Sequence, residues 1–135
     1  MTIHLTQSDP AKVTQTIQIG SHVVIADMAL ADGGADEGPD PHDLYDAALG
    51  ACKALTLLWY AKREGLPVEQ VRTSITRDNS QERKGIYRLQ ATIAIGGDLS
   101  DAQLEKLTAI AEKCPVQRLM TSVVTEISTT VERLV

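Results

Sequence analysis

"PHDLYDAALGACKALTLLWYA", residues 41–61, reads as one helix that is apolar around almost its whole circumference. Asp40 is a good N-cap, Pro41 suits the first helical position, and Asp43 favours the positive end of the helix. Lys62 and Arg63 lie in the last turn, and Gly65-Leu66-Pro67 stops the element. The predicted length is about 24 residues, or roughly 36 Å at the standard rise. Leu44, Ala48, Cys52, Leu55 and Trp59 form one stripe, and Ala47, Ala51, Ala54 and Leu58 form a second beside it. Leu49 and Leu57 widen the apolar surface further. Such a helix must be covered on more than one side, which six modest strands and one short helix hardly supply. The simplest solution is a homodimer with this helix at its centre; the alternative is a monomer whose own sheet wraps the helix.

On either side of this helix the pattern is that of strands. "TIHLTQ", "KVTQTIQIG" and "SHVVIAD" are predicted as a short strand and a hairpin turning at Gly20-Ser21. "MALADGGADEGPDP" has no period and reads as a loop of a length that often carries function. Beyond the helix, Val71, Thr73 and Ile75 alternate, as do Tyr87, Leu89, Ala91, Ile93 and Ile95, giving a second hairpin across "NSQERKG". "GGDLSDAQLEKLTAIAEKC" is a second helix with a Ser100/Gln103 capping box and an inner stripe of Leu104, Leu107, Ile110 and Ala111. Pro115 opens a short helical turn, "PVQRLM". "VVTEISTTVERLV" alternates through Val123, Thr125, Ile127, Thr129 and Val131 and is predicted as a closing strand. The fold class is therefore α+β on antiparallel sheet, in one domain.

Composition narrows the function. A net charge of −5 without a basic cluster argues against nucleic acid as partner. Charged residues (Asp46, Lys53, Lys62) break the longest apolar run, so no membrane span is expected. The N-terminus lacks a basic segment followed by an apolar one, predicting a cytoplasmic protein. Three histidines and two separated cysteines give no metal-ligand spacing, "ADGGADEG" is not a phosphate loop, and no cofactor is expected.

Two cysteines in a reducing compartment are either buried small hydrophobes or redox thiols. Cys52 lies mid-helix, away from the terminal turns where the helix dipole acts, and needs a nearby cation or donor to hold a thiolate. Cys114 lies where the second helix ends. Amides exposed at the start of the next turn suit an anion there, and Arg118 lies one turn along. The two are 62 positions apart, and spacing alone leaves open whether they meet. A Cys-His-Asp hydrolase using His42 has no local support.

Three stretches together resemble the OsmC/Ohr family: "GPDPHDLYDAALGACKALTLLWYAKREGLPVEQV", "GDLSDAQLEKLTAIAEKCPVQRLM" and "TEISTTV". The resemblance covers about residues 22–135. In detail it is similar to the OsmC-like branch also found fused to α/β-hydrolase domains, here as a single OsmC-like domain over residues 1–135. It implies an intertwined homodimer, with long central helices between antiparallel sheets and a thiol peroxidase site at the dimer interface. By residue match, Cys52 attacks an organic hydroperoxide and becomes a sulfenic acid, and Cys114 resolves it as a disulfide. A dithiol reductant, lipoyl-protein or thioredoxin-like, then restores both.

The pattern departs from the family in two places. Characterised members hold the thiolate with an N-terminal arginine and a glutamate just before the helix. Here no arginine precedes Arg63, and His42 stands at the glutamate position. Asp43 is then the matching acid in a shifted register, with Arg118 or the Lys12 region as the source of charge. The alternative function is a non-catalytic OsmC-like binding module, with an apolar pocket at the dimer interface lined by Cys52.

Overall fold

The computed structural model describes residues 1–135, which fold into two compact units. The first comprises residues 1–48 and 75–91; the second comprises 49–74 and 92–135. The elements are β1 (His4–Gln7), β2 (Gln15–Ile19), β3 (His22–Ala26), α1 (Pro41–Arg63), β4 (Gln70–Asp78), β5 (Arg88–Gly96), α2 (Asp101–Glu112) and α3 (Pro115–Ser122).

In the first unit, β1, β2 and β3 form an antiparallel meander, with Leu5 opposite Ile17 and Ile17 opposite Val24. The two-residue turn is possible because Gly20 takes a φ of +58°. The following loop is fixed by one carboxylate. Buried Asp27 accepts hydrogen bonds from the amides of Met28 (2.7 Å), Ala35 (3.4 Å) and Glu37 (3.1 Å) and from the Thr14 hydroxyl (2.8 Å). Burial pushes the Asp27 carboxyl up, but these donors outweigh it and bring the pKa down to about 2. A Cβ on Gly34 would lie 2.0 Å from the Met28 carbonyl oxygen, so the loop closes on itself only because that residue is glycine. The hydrogen bonds to Asp27 hold the loop in its shape.

The second unit has its core where α1 meets α2. Leu57, Ala61, Leu107 and Ala111 are buried together, with Val71, Ile93 and Ile95 packed against them. Alternation along β4 and β5, which form a two-stranded sheet, turns every second side chain inward. The predicted capping box of α2 is present, with Ser100 and Gln103 each bonding the other's backbone amide. Of the expected inner stripe, Leu107 and Ala111 are buried, whereas Leu104 is exposed.

Two sequence expectations are corrected. Residues 123–135 form no strand and are exposed throughout. Alternation shows which face a strand would bury, but a strand exists only where another supplies the hydrogen-bond ladder, and none in this chain does so. The buried face of α1 also differs from either predicted stripe. It runs through Asp46, Leu49, Lys53, Leu57 and Ala61, so it includes two charged residues. Leu55 (66% exposed), Leu58 (41%) and Trp59 (61%) face outward.

Candidate active site

Cys52 sits at the edge of the covered face of α1, half-buried, with its sulfur 3.9 Å from the Thr56 hydroxyl one turn on. Cys114 is buried at 1% exposure and is the N-cap of α3, in extended conformation, with Pro115 as first helical residue. This sharp α2–α3 corner brings the Cys114 thiol close enough to Cys52 for each to shift the other's acidity. Pro115 has no amide to offer, so the first free N–H groups of α3 belong to Val116 and Gln117. The Val116 amide favours a thiolate at Cys52, and both amides favour one at Cys114.

The two thiols are pushed apart in acidity. Burial raises both. At Cys52 it is outweighed by the hydrogen bond from Cys114, the Val116 amide, the Thr56 hydroxyl and the Lys53 charge, so its pKa falls below the ordinary thiol value. At Cys114, burial and donation to Cys52 raise the pKa despite the two amides. The pair titrates as a unit whose favoured anion is the Cys52 thiolate, with Cys114 the protonated donor.

Lys53, the next residue along α1, is buried. Its ammonium donates to the Ala111 carbonyl oxygen (3.0 Å), in the last turn of α2, and to Gln117 Oε1 (2.5 Å), in the first turn of α3. Arg118 lies one residue beyond Gln117 on α3. Its side chain is exposed, and its link to Cys114 is a helical backbone hydrogen bond of 3.2 Å.

The remaining sequence candidates are engaged in the first unit. Asp43 completes a reciprocal cap with Asp40: the Asp43 amide donates to Asp40 Oδ1 (2.8 Å), and the Asp40 amide donates to Asp43 Oδ2 (3.2 Å). The other Asp43 oxygen accepts from Arg77 Nη2 at 2.8 Å, and this bond holds the carboxyl below the usual carboxylate range. Arg77 Nε also donates to buried Asp46 (2.5 Å), whose second oxygen accepts from the Tyr87 hydroxyl (2.7 Å). His42 Nε2 lies 2.6 Å from Glu82 Oε1, which raises the imidazole pKa. Lys12 is ion-paired with Glu37. Within the first unit, His42, Asp43 and Lys12 are thus bonded to Glu82, Arg77 and Glu37. A cleft of about 370 Å³ beside them is lined by Pro41, His42, Tyr45, Glu82 and Tyr87 and includes neither cysteine.

The family model for OsmC-like proteins matches residues 33–128, a span that contains both thiols. The chain belongs to the OsmC-like family. Solved structures share the fold at low sequence identity. A Psychrobacter arcticus protein described as an osmotic stress induced and detoxification response protein is 16% identical at a TM-score of 0.75, over 90% of this chain and 89% of its own. An OsmC-like protein of Mycoplasma pneumoniae is 15% identical at 0.72, over 90% and 87%. The organic hydroperoxide resistance protein OhrB of Bacillus subtilis is 21% identical at 0.57, over 90% and 92%. No curated protein matches the chain.

Against this OsmC-like background, the residues that the sequence did not single out are Thr56, Gln117 and, above all, Lys53. A signal for Lys53 was present. It lies seven residues after Asp46 and four before Leu57, a spacing that returns to one helical face. A charge on that face breaks the apolar run in sequence and marks a buried polar link in the structure.

Proposed function

We propose that this protein is a thiol-dependent peroxidase that reduces organic hydroperoxides. The observation that carries the proposal is the packing of the corner capped by Cys114 onto the turn of α1 that bears Cys52, through the Lys53 bonds to Ala111 and Gln117, with the two thiols shifted in opposite directions. The Cys52 thiolate attacks the distal oxygen of the hydroperoxide, the O–O bond breaks, and a proton completes the alcohol. Cys52 is then a sulfenic acid. The Cys114 sulfur attacks it, water leaves, and an intramolecular disulfide remains. A dithiol of lipoyl or thioredoxin type reduces the disulfide by exchange and is itself oxidised. The name of the Bacillus relative, an organic hydroperoxide resistance protein, supports the substrate class.

The same proposal includes a homodimer and a single OsmC-like domain running through both compact units. The outward row of Leu55, Leu58 and Trp59 supports the dimer, as does the C-terminal segment, whose Val124, Ile127 and Val131 alternate in solvent without a ladder. A second copy of the chain supplies the missing cover, and equilibrium sedimentation reads the mass directly.

For the chemistry, the reduced protein is mixed with tert-butyl hydroperoxide and its free thiols are followed. Both thiols should disappear together. Cys114→Ser should stop at a sulfenic acid that dimedone traps, and Cys52→Ser should not react. Thiol loss no faster than that of a free thiol in solution would remove the peroxidase reading and leave the pair as lining of a binding module.

A further inference from the structure

Lys53 is a buried cation whose hydrogen bonds have no role in the steps above. An ammonium out of water is costly unless its protons find acceptors, and here two do. The placement of those acceptors is informative. The Ala111 carbonyl belongs to the last turn of α2, where carbonyls lack helical partners and a cation is favoured. Gln117 is the third residue of α3, so the side chain that accepts from Lys53 lies in the turn that Cys114 caps. One ammonium therefore holds both sides of the corner that carries Cys114, and it does so from the residue next to Cys52.

We infer that Lys53 is a positioning residue: it clasps the α2–α3 corner against the turn of α1 that bears Cys52 and so sets the geometry in which the two sulfurs meet. The inference rests on reading Cys52 and Cys114 as a working dithiol, but not on hydroperoxide being its oxidant. Without the clasp, the Cys114 thiol and the Val116 amide lose their fixed distance to Cys52, and the nearby positive charge is lost as well. The charged and titratable groups facing Cys52 are Lys53, on its own helix, and Cys114, on the corner; Thr56 adds an uncharged donor.

The test uses two readouts that a purely structural lysine would leave unchanged. One is the pH midpoint for alkylation of Cys52 by iodoacetamide, measured in a Cys114→Ser background as well as in the full pair. The other is the equilibrium constant of the Cys52–Cys114 disulfide against dithiothreitol. Lys53→Met should raise the alkylation midpoint by about one pH unit and weaken the disulfide about tenfold, as expected for losing two charge-assisted hydrogen bonds. Lys53→Arg should restore much of both. Gln117→Met cuts only the α3 arm at a half-buried position, so it keeps the inference testable if Lys53→Met fails to fold; it should weaken the disulfide about threefold.

A melting temperature lowered by Lys53→Met with both readouts unchanged overturns the inference, as does an unchanged disulfide constant in Gln117→Met. If the wild-type protein ignores hydroperoxide while Lys53→Met shifts both readouts, the clasp stands and the peroxidase reading falls. If the wild type reduces hydroperoxide and the readouts do not move, the reverse holds.

Discussion

Oxidising the two thiols should stabilise the protein by an amount that follows from their separation. Cys52 and Cys114 are 62 positions apart. Closing a loop of that length removes roughly 14 cal/mol/K of entropy from the unfolded chain, or about 4 kcal/mol at room temperature. The two thiols already lie near enough to perturb each other's acidity, so the strain of closing the bond should be small. With an unfolding entropy of about 2.1 cal/mol/K per residue, the melting temperature should rise by roughly 15 °C. The assay is calorimetry of the reduced protein and of protein oxidised with diamide, at one fixed concentration because a self-associating chain melts higher when concentrated. Cys114→Ser treated identically should show no rise. A rise under about 5 °C, or a disulfide that links two chains, would refute the geometry.

Three further outcomes are expected. Leu107 is fully buried between α1 and α2, so Leu107→Ala should cost about 2–5 kcal/mol, measured by urea unfolding; a cost under 1 kcal/mol would mean that the core is elsewhere. The folded Asp27 carboxyl has a pKa of about 2, below the ordinary 3.8, so its contribution is complete above the unfolded value and is lost as pH falls from about 4 through 2. Asp27→Asn should flatten that acid limb of the stability curve, and an unchanged limb would show that the loop does not depend on the charge. Burial first, and then its bond to Asp46, push the Tyr87 phenol up to about 12, so Asp46→Asn should bring one tyrosine back toward the ordinary value in an ultraviolet titration, with no change as the refuting result.

The helix start shows how much could be read locally. Asp40, Pro41 and Asp43 act within one turn, and the structure makes that cap with an added reciprocal bond. The Ser100/Gln103 box and the Gly20 turn are likewise settled within four residues. The site divides differently. The family motifs pointed to Cys52 and Cys114, but their contact depends on how the α2–α3 corner folds back on α1. The same motifs put His42 at the family's glutamate position with Asp43 as the acid in a shifted register, and only the tertiary structure shows their bonds to Glu82 and Arg77.

By itself, then, the sequence determined the helices, their caps, the strands of the two hairpins and the family, because those depend on dihedral preferences, periodicity and hydrogen bonds between near neighbours in the chain. The tertiary structure decided which face of α1 is covered, why buried Lys53 is tolerated there, and that residues 123–135 have no strand partner within one chain. Each of these depends on what lies across the gap from a residue. A side chain's hydrophobicity does not encode that, because the same lysine is a solvated surface charge or a buried clasp according to whether two carbonyl oxygens meet it.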